Sequence, residues 1–224
     1  MINLSKVLKN IDKIINVLQK EIKRWEDPVV TKVKKEGADP FKVLVTTILS
    51  ARTRDTITEK TARKLFEKIK KPEDLKKINL AKLERIIKPV GFYRRKSFNL
   101  KKLAEILIEK YGGRVPNKME ELLTLPGVGR KTANLVLIES FDKDAICVDT
   151  HVHRISNRLG IVKTKTPEQT EEQLRKVLPE EYWKMYNKLL VIYGQNLCKP
   201  IKALCEQCRL KNYCNFYRKK RRIK

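Results

Sequence analysis

The chain has 224 residues, and its 52 lysines and arginines against 26 aspartates and glutamates give a formal net charge of +26. A chain of this length can bury a substantial core in one or two domains. The large excess of positive charge indicates a nucleic-acid partner and is more one-sided than a surface that is charged only for solubility. Its apolar runs are too short to span a bilayer and it has no uninterrupted signal-peptide core, so we expect no membrane association and a cytoplasmic protein.

Hydrophobic residues recur at helical spacing along most of the chain and predict an all-α protein. The predicted helices are 3–23, 41–51, 56–69, 73–78, 80–88, 95–111, 130–140, 150–158, 167–177 and 180–193, with more helix at the cysteine-rich end. The helix 41–51 is apolar on most sides and is expected to be buried. We interpret 27–40 as a loop and the basic run 218–224 as a solvated or disordered tail.

The stretch 122–133 combines an apolar helical run, a tight turn with Gly127 and Gly129, and a second helix that opens on Arg130 and Lys131. Glycine permits backbone angles that other residues avoid and lets another molecule's backbone come close. The amides of the turn and of the following helix N-terminus then form an anion site, most naturally for phosphate. A helical hairpin without a ligand is the alternative, and the basic chain favours the phosphate site.

Lys131 lies in the first turn of the second helix of this hairpin. Most single lysines are solvated surface residues. The partial positive charge of a helix N-terminus and partial desolvation both disfavour an ammonium ion, and so favour the free amine that a nucleophile needs. We therefore interpret Lys131 as a candidate nucleophile.

Asp149 precedes Thr150 and His151 at a predicted helix start, where aspartate is a preferred N-cap. The connection after the hairpin helix is about eight residues long, enough to bring this second helix start back to Lys131. A capping carboxylate stays ionised at a fixed position, so the capping role and a catalytic role for Asp149 are compatible.

Four of the five cysteines lie in one short, polar and basic segment with the spacing C-x6-C-x2-C-x5-C: Cys198, Cys205, Cys208 and Cys214. Such crowding favours a metal site over disulfides. Four thiolates hold either a zinc ion or an iron–sulfur cluster, and the residues by themselves favour zinc, because four-cysteine zinc sites are common. The fifth cysteine, Cys147, has apolar neighbours and is predicted to lie in the core.

The motif 125–133, the stretch Val148-Asp149-Thr150-His151, and the shorter stretches 48–51 and 91–93 resemble the helix-hairpin-helix DNA glycosylase superfamily, in particular its endonuclease III family. The resemblance extends over about 40–214. It implies two helical domains: a six-helix barrel with the hairpin at 34–143, and a four-helix iron–sulfur domain formed by 1–33 and 144–217. The active site is then expected in the cleft between them, with 218–224 as a basic tail.

The resemblance also implies the activity, that of a bifunctional DNA glycosylase and AP lyase that removes oxidised pyrimidines such as thymine glycol in base excision repair. Lys131 matches the lysine that attacks the sugar C1′ and forms a Schiff base, and Asp149 matches the carboxylate that stabilises the charged sugar. The partner is double-stranded DNA with a damaged base or an abasic site, and the lesion base is flipped out of the duplex. Such enzymes usually act as monomers, here expected on the nucleoid.

The resemblance further assigns the four-cysteine segment to a [4Fe-4S] cluster, whose loop binds the DNA backbone, here through Lys199 and Lys202. The hairpin residues that match its DNA contacts are Gly127, Val128, Gly129 and Arg130.

Arg52 stands where the family usually has a glutamine that fills the space left by the flipped base. Arginine can also enter the base stack or bind phosphate. Two alternatives remain open: a monofunctional mismatch glycosylase, which usually lacks the lysine at position 131, and a non-catalytic DNA-binding protein with a four-cysteine zinc site.

Overall fold

The computed structural model describes residues 4–222, and the side chains of residues 10–221. The regular elements in this part of the chain are all helices, so the architecture is all-α, as predicted. The α-helices are α1 Leu4–Ile22, α2 Val29–Lys35, α3 Pro40–Ser50, α4 Asp55–Lys68, α5 Pro72–Lys77, α6 Leu80–Ile87, α7 Tyr93–Tyr111, α8 Met119–Leu123, α9 Arg130–Phe141, α10 Thr150–Leu159, α11 Pro167–Val177, α12 Trp183–Asn196 and α13 Asn215–Arg222. No helix among these described residues is both long and apolar enough for a membrane span.

The chain divides into two compact units. The central unit is Pro28–Lys143, and the terminal unit combines Met1–Asp27 with Asp144–Lys224. The central unit therefore begins at position 28, whereas the resemblance implies a start at position 34, and it ends at position 143 in both cases. The structure describes eight α-helices in the central unit and five in the terminal unit, against the six and four that were expected.

The central unit is organised around α3, which packs against α2, α4, α7 and α9. Residues Phe41 and 43–49 of α3 are all buried, which confirms the expectation of a buried helix. Asp39 caps its N-terminus by accepting a hydrogen bond from the Lys42 amide at 2.9 Å, and Pro40 occupies the first helical position. Both ends of α3 therefore lie at the surface, and Arg52 follows its C-terminal end.

The terminal unit has its own core, to which α1, α10, α11 and α12 contribute. The predicted amphipathic spacing of α1 is confirmed, because Ile11, Ile14, Ile15 and Leu18 are buried. Cys147 is fully buried, which confirms its expected core position, and its carbonyl accepts a hydrogen bond from Asn187 Nδ2 at 3.0 Å.

The interpretation of 27–40 as a loop is wrong for α2. This short helix buries Val29, Val30 and Val33, and it packs on α3 and α9. Thr31 Oγ1 donates to Glu139 Oε1 at 2.7 Å. β-Branched residues in so short a segment give a weak helical signal, and burial against neighbouring helices supplies the stability that local propensity lacks.

The basic tail is also more ordered than predicted, because α13 includes residues 218–222. Its first turn is anchored by Phe216, whose ring lies 4.5 Å from the Arg158 guanidinium carbon, and by Tyr217, whose hydroxyl donates to Glu206. The basic residues 218–221 that follow are exposed, as expected of a solvated end. Positions 223–224 lie outside the described residues.

Candidate active site and cysteine cavity

The predicted hairpin is formed by α8, α9 and the turn between them. Leu125 and Val128 are buried beneath the turn, and the Val128 amide donates to the Leu125 carbonyl at 3.1 Å. The amides of Gly127 and Gly129 donate no hydrogen bond within the described part of the chain. Because both glycines are exposed, these amides are available to an anion from solution.

The two glycines of the hairpin are required for different reasons. Gly127 has φ +82°, and a Cβ there would lie 3.1 Å from Asn99 Nδ2, so the fold itself needs a glycine. Gly129 is the N-cap of α9 with φ −105°, and a Cβ there would meet nothing within 4 Å among the described residues. The small size of Gly129 therefore leaves room for an outside molecule rather than for this protein's own packing.

Lys131 is the second residue of α9 and is half-buried. This is the placement that the sequence predicted, in the first turn of the helix that follows the glycine turn. The N-terminal end of α9, where the backbone amides carry partial positive charge, therefore lies next to its side chain. The hairpin therefore presents one amine-bearing side chain directly beside an open anion site.

Asp149 is the N-cap of α10, as predicted. Its Oδ1 accepts hydrogen bonds from the amides of His151 at 2.8 Å and Val152 at 2.9 Å. The side chain is half-buried, and its Oδ2 carries no hydrogen bond within the part of the chain that the structure describes. The cap thus fixes one carboxylate oxygen and leaves the other available.

Arg154, one turn further along α10, connects this helix to the cysteine segment. Its Nη2 donates to the Cys198 carbonyl at 2.8 Å and lies 3.2 Å from His151 Nδ1. Burial lowers the pKa of the Arg154 guanidinium, while the negative charge of Asp149 acts in the opposite direction. A Cβ on Gly194 would lie 2.4 Å from His151 Nδ1, so α12 approaches α10 this closely only because position 194 is glycine.

The four predicted cysteines line one cavity of the terminal unit, with about 310 Å³ of space free of protein atoms that includes open solvent. The Tyr193 hydroxyl oxygen lies 3.1 Å from Cys208 Sγ, and Arg158 Nη1 donates to Cys198 Sγ at 3.3 Å. Burial raises the pKa of the thiols of Cys208 and Cys214, so a bound cation has to displace their protons. The cysteines are therefore surrounded by donors that suit thiolate ligands.

The two loop lysines, Lys199 and Lys202, are both exposed, as is required of side chains that contact DNA. The loop backbone between them is held by Arg158, which donates to the carbonyls of Lys199 at 2.8 Å and Pro200 at 2.7 Å. Fixed backbone with free cationic side chains is an arrangement that suits contacts with phosphates.

Arg52 follows α3 in a turn of the central unit and has φ +53°, in the left-handed region that non-glycine residues rarely adopt. Its side chain is exposed, and its guanidinium carbon lies 5.5 Å from the centre of the Phe92 ring. Phe92 is itself 61% exposed. The structure thus places these two side chains together at the surface, although they are 40 positions apart in the sequence.

Sequence reasoning missed several residues that contact these sites: Tyr193, Arg154 and Arg158 beside the cysteines, and Lys96 beneath the Arg52 turn. The two arginines lie on an amphipathic helix and Tyr193 on an apolar one, where the periodicity gives no reason to single them out. Lys96 belongs to the glycine-plus-basic turn 91–96, a signal that locates the turn and does not show which lysine is buried.

The scaffold is all-α and carries an open helical hairpin, an amine beside that hairpin and a four-cysteine loop. Together these features define a nucleic-acid enzyme of the helix-hairpin-helix class. The family model of the HhH-GPD superfamily of base excision DNA repair proteins matches residues 45–180, and the chain belongs to this family.

Individual relatives agree with this assignment. Endonuclease III of Thermotoga maritima is 57% identical over 182 residues, which covers 81% of this chain and 85% of the relative. The structure of a non-covalent endonuclease III–DNA complex is 35% identical, with a TM-score of 0.86 over 96% of this chain and 98% of that one. A trapped covalent intermediate of an endonuclease III with DNA, an estranged-adenine complex, is 39% identical with a TM-score of 0.78, over 82% and 86% of the two chains.

These findings confirm the predicted class of activity. The protein is an enzyme of base excision repair, a bifunctional DNA glycosylase and lyase. The alternative of a non-catalytic DNA-binding protein is set aside.

Proposed function

We propose that the enzyme removes oxidised pyrimidines such as thymine glycol from double-stranded DNA and cleaves the strand 3′ to the abasic site. The observation that carries this proposal is Lys131, an amine on the second residue of α9 and directly after the exposed Gly127–Gly129 turn. A turn that binds the DNA backbone holds the strand while the adjacent side chain reaches the sugar of a flipped nucleotide.

In the proposed reaction, Lys131 Nζ attacks C1′ of the damaged nucleotide as a free amine. The bond between C1′ and the base breaks, and the base leaves with the bonding electrons and takes up a proton. Opening of the sugar ring then places a Schiff base between Nζ and C1′. Loss of a C2′ proton expels the 3′ phosphate by β-elimination, and water finally releases the lysine.

Asp149 stabilises the positive charge that develops on the sugar as the base departs. Two backbone amides hold Oδ1 in place, so the carboxylate needs little reorganisation when that charge appears. The cap and the catalytic role thus use different oxygens of one side chain.

The DNA backbone contacts come from amides and cations. Gly127, Val128 and Gly129 supply the hairpin amides, Arg130 adds charge at the start of α9, and Lys199 and Lys202 extend the contact from the cysteine loop. Arg52 enters the space that the flipped base leaves. We further propose that the enzyme acts as a monomer in the cytoplasm, on the nucleoid.

Cys198, Cys205, Cys208 and Cys214 hold a [4Fe-4S] cluster in this proposal. All four cysteines line one cavity of the terminal unit, so four thiolates can bind a single group there. The preference for an iron–sulfur cluster over zinc follows the resemblance to the endonuclease III family. When bound, the cluster fixes the loop of Lys199 and Lys202 and does not cleave bonds.

A panel of duplexes tests the proposed substrate class. We expect base release with strand cleavage on thymine glycol and dihydrouracil, strand cleavage at a preformed abasic site, and no base release from mismatches. Base release from mismatches, with none from thymine glycol or dihydrouracil, would contradict the proposed substrate class. The Asp149→Asn variant is the second arm, because asparagine retains the N-cap and lacks the charge, and we expect base release about a hundredfold slower.

The hairpin glycines give a paired prediction. Gly127→Ala places a methyl group at φ +82° and is expected to lower the free energy of unfolding by about 1–2 kcal/mol. Gly129→Ala is expected to cost less than about 1 kcal/mol, since only the N-cap preference changes, but to weaken DNA binding about tenfold because the methyl group occupies the phosphate site. Chemical denaturation and DNA titration at fixed salt measure both effects. Normal DNA affinity in folded Gly129→Ala would show that the turn does not contact the backbone.

A further inference from the structure

We propose that Lys96 is a positioning residue, which holds the turn of Arg52 at the C-terminal end of α3 in the shape that DNA recognition requires. The consequence for DNA rests on the function proposed above. The structural part of the inference rests on contacts within the central unit alone.

The turn that follows α3 needs support. Arg52 has φ +53°, a conformation that costs a non-glycine residue about 1–2 kcal/mol. The turn contains one backbone hydrogen bond, from the Thr53 amide to the Ser50 carbonyl at 3.0 Å. The last carbonyls of a helix also lack partners inside the helix. Without an outside contact, this turn would relax to a more favourable backbone conformation.

Lys96 supplies that contact from α7. Its Nζ donates to the carbonyls of Leu49 and Ala51, both at 2.7 Å, and to Thr53 Oγ1 at 3.3 Å. A cation at this point also complements the negative end of the α3 dipole. The three bonds therefore connect the last turn of α3 and both neighbours of Arg52 to a single atom.

Lys96 is buried, so its ammonium group requires hydrogen-bond acceptors from the protein. Only 7% of the residue is exposed, and burial lowers the pKa of its ammonium group to about 8. A lysine is rarely buried unless its donors are satisfied, because an unpaired buried charge is costly. All three donors of Lys96 are used by the turn, so displacement of the turn would leave the ammonium without partners.

The segment before α7 also contacts the turn of Arg52. The Gly91 amide donates to Thr53 Oγ1 at 3.1 Å, and a Cβ at position 91 would lie 2.7 Å from the Arg52 carbonyl oxygen. Thr53 Oγ1 is therefore shared between Gly91 and Lys96. The Arg52 guanidinium itself lies over the ring of Phe92 and is not bonded to Lys96. Lys96 thus acts through the backbone of the turn, which leaves the guanidinium exposed for DNA.

The chain contains a matched control for this lysine. Lys101 lies on the same helix, and its Nζ donates to the carbonyls of Leu75, Lys76 and Ile78 around the C-terminal end of α5. Lys96→Met and Lys101→Met therefore each remove an amine that caps the end of a helix. Only the first variant releases the Arg52 turn.

The first measurement is amide hydrogen exchange by NMR in the full chain. We expect the Thr53 and Gly91 amides to exchange at least about tenfold faster in Lys96→Met than in the parent, and to be unchanged in Lys101→Met. Protection of both amides at the parental level in Lys96→Met would overturn the inference. If Lys96→Met does not fold, Thr53→Ala replaces it, since this variant removes the shared acceptor and keeps the lysine.

The second measurement is base release by Lys96→Met, Arg52→Ala and the double variant. If Lys96 acts through the turn, each single variant lowers kcat/KM about tenfold, and the double variant loses little more. Fully additive losses would contradict the inference, because they would show that Lys96 does not act through Arg52. A parent enzyme that releases no base from any lesion would instead contradict the proposed function, and the exchange experiment would still test the role of Lys96.

Discussion

Lys131→Gln is expected to lose the covalent adduct that borohydride traps between the parent enzyme and abasic DNA, with strand cleavage reduced at least about a thousandfold. Glutamine keeps much of the length of lysine and its helix propensity, but it has no amine that can form a Schiff base. Lys131 is half-buried in the first turn of α9, so the free energy of unfolding should change by less than about 1 kcal/mol. Gel mobility after reduction and thermal denaturation measure the two quantities.

Arg130→Gln is the control for the loss of positive charge. Arg130 precedes Lys131 on α9 and is exposed, so the control variant loses the same charge at the neighbouring position and retains the nucleophile. We expect weaker DNA binding with a smaller salt dependence, and a normal yield of adduct once the DNA is saturated. A folded Lys131→Gln protein that still forms the adduct would mean that another amine is the nucleophile.

Cys205→Ser is expected to yield a protein with little iron and no brown colour, and to lower stability by at least about 2 kcal/mol. Ile201 in the cysteine loop is 94% exposed, and the two 3₁₀ turns of the loop, Cys205–Gln207 and Lys211–Tyr213, are too short to persist alone. Loss of the bound group should therefore release the loop lysines and weaken DNA binding. Iron and sulfide analysis, visible absorbance and DNA titration measure these changes.

Cys147→Ser is the matched control, because it makes the same chemical change outside the cysteine loop. Cys147 is fully buried in the terminal unit, so the new hydroxyl is expected to cost about 1–3 kcal/mol. Iron content and colour should remain at the level of the parent. Zinc instead of iron in the parent protein, purified without oxygen, would contradict the assignment of a [4Fe-4S] cluster.

The hairpin and the Asp149 cap were predictable because they are local. A turn with two glycines, a helix start and a capping aspartate each depend on residues within a few positions, and their chemistry can be read from the order of the side chains. The spacing of the four cysteines is equally local, and the structure places all of them around one cavity. Asp149 accepts the two amide hydrogen bonds that its position before Thr150 predicts.

Helices α2 and α13 were missed because their stability comes from other parts of the chain. The valines of α2 have low helix propensity, and the helix exists because they are buried against α3 and α9. The basic residues of α13 suggest a disordered end, and the helix is anchored by Phe216 on Arg158 and Tyr217 on Glu206. Neither contact is visible in a local window of sequence.

The sequence by itself determined the helical class, the hairpin with Lys131, the capping position of Asp149 and the four cysteines that line one cavity. Only the tertiary structure decided which of many lysines is buried. Lys96 is one of several basic residues in its segment, and its contacts with Leu49, Ala51 and Thr53 are 43 to 47 positions away in the chain. The physical reason is that a charge is buried only where distant carbonyls and hydroxyls come together to accept its hydrogen bonds, and that convergence is a property of the fold.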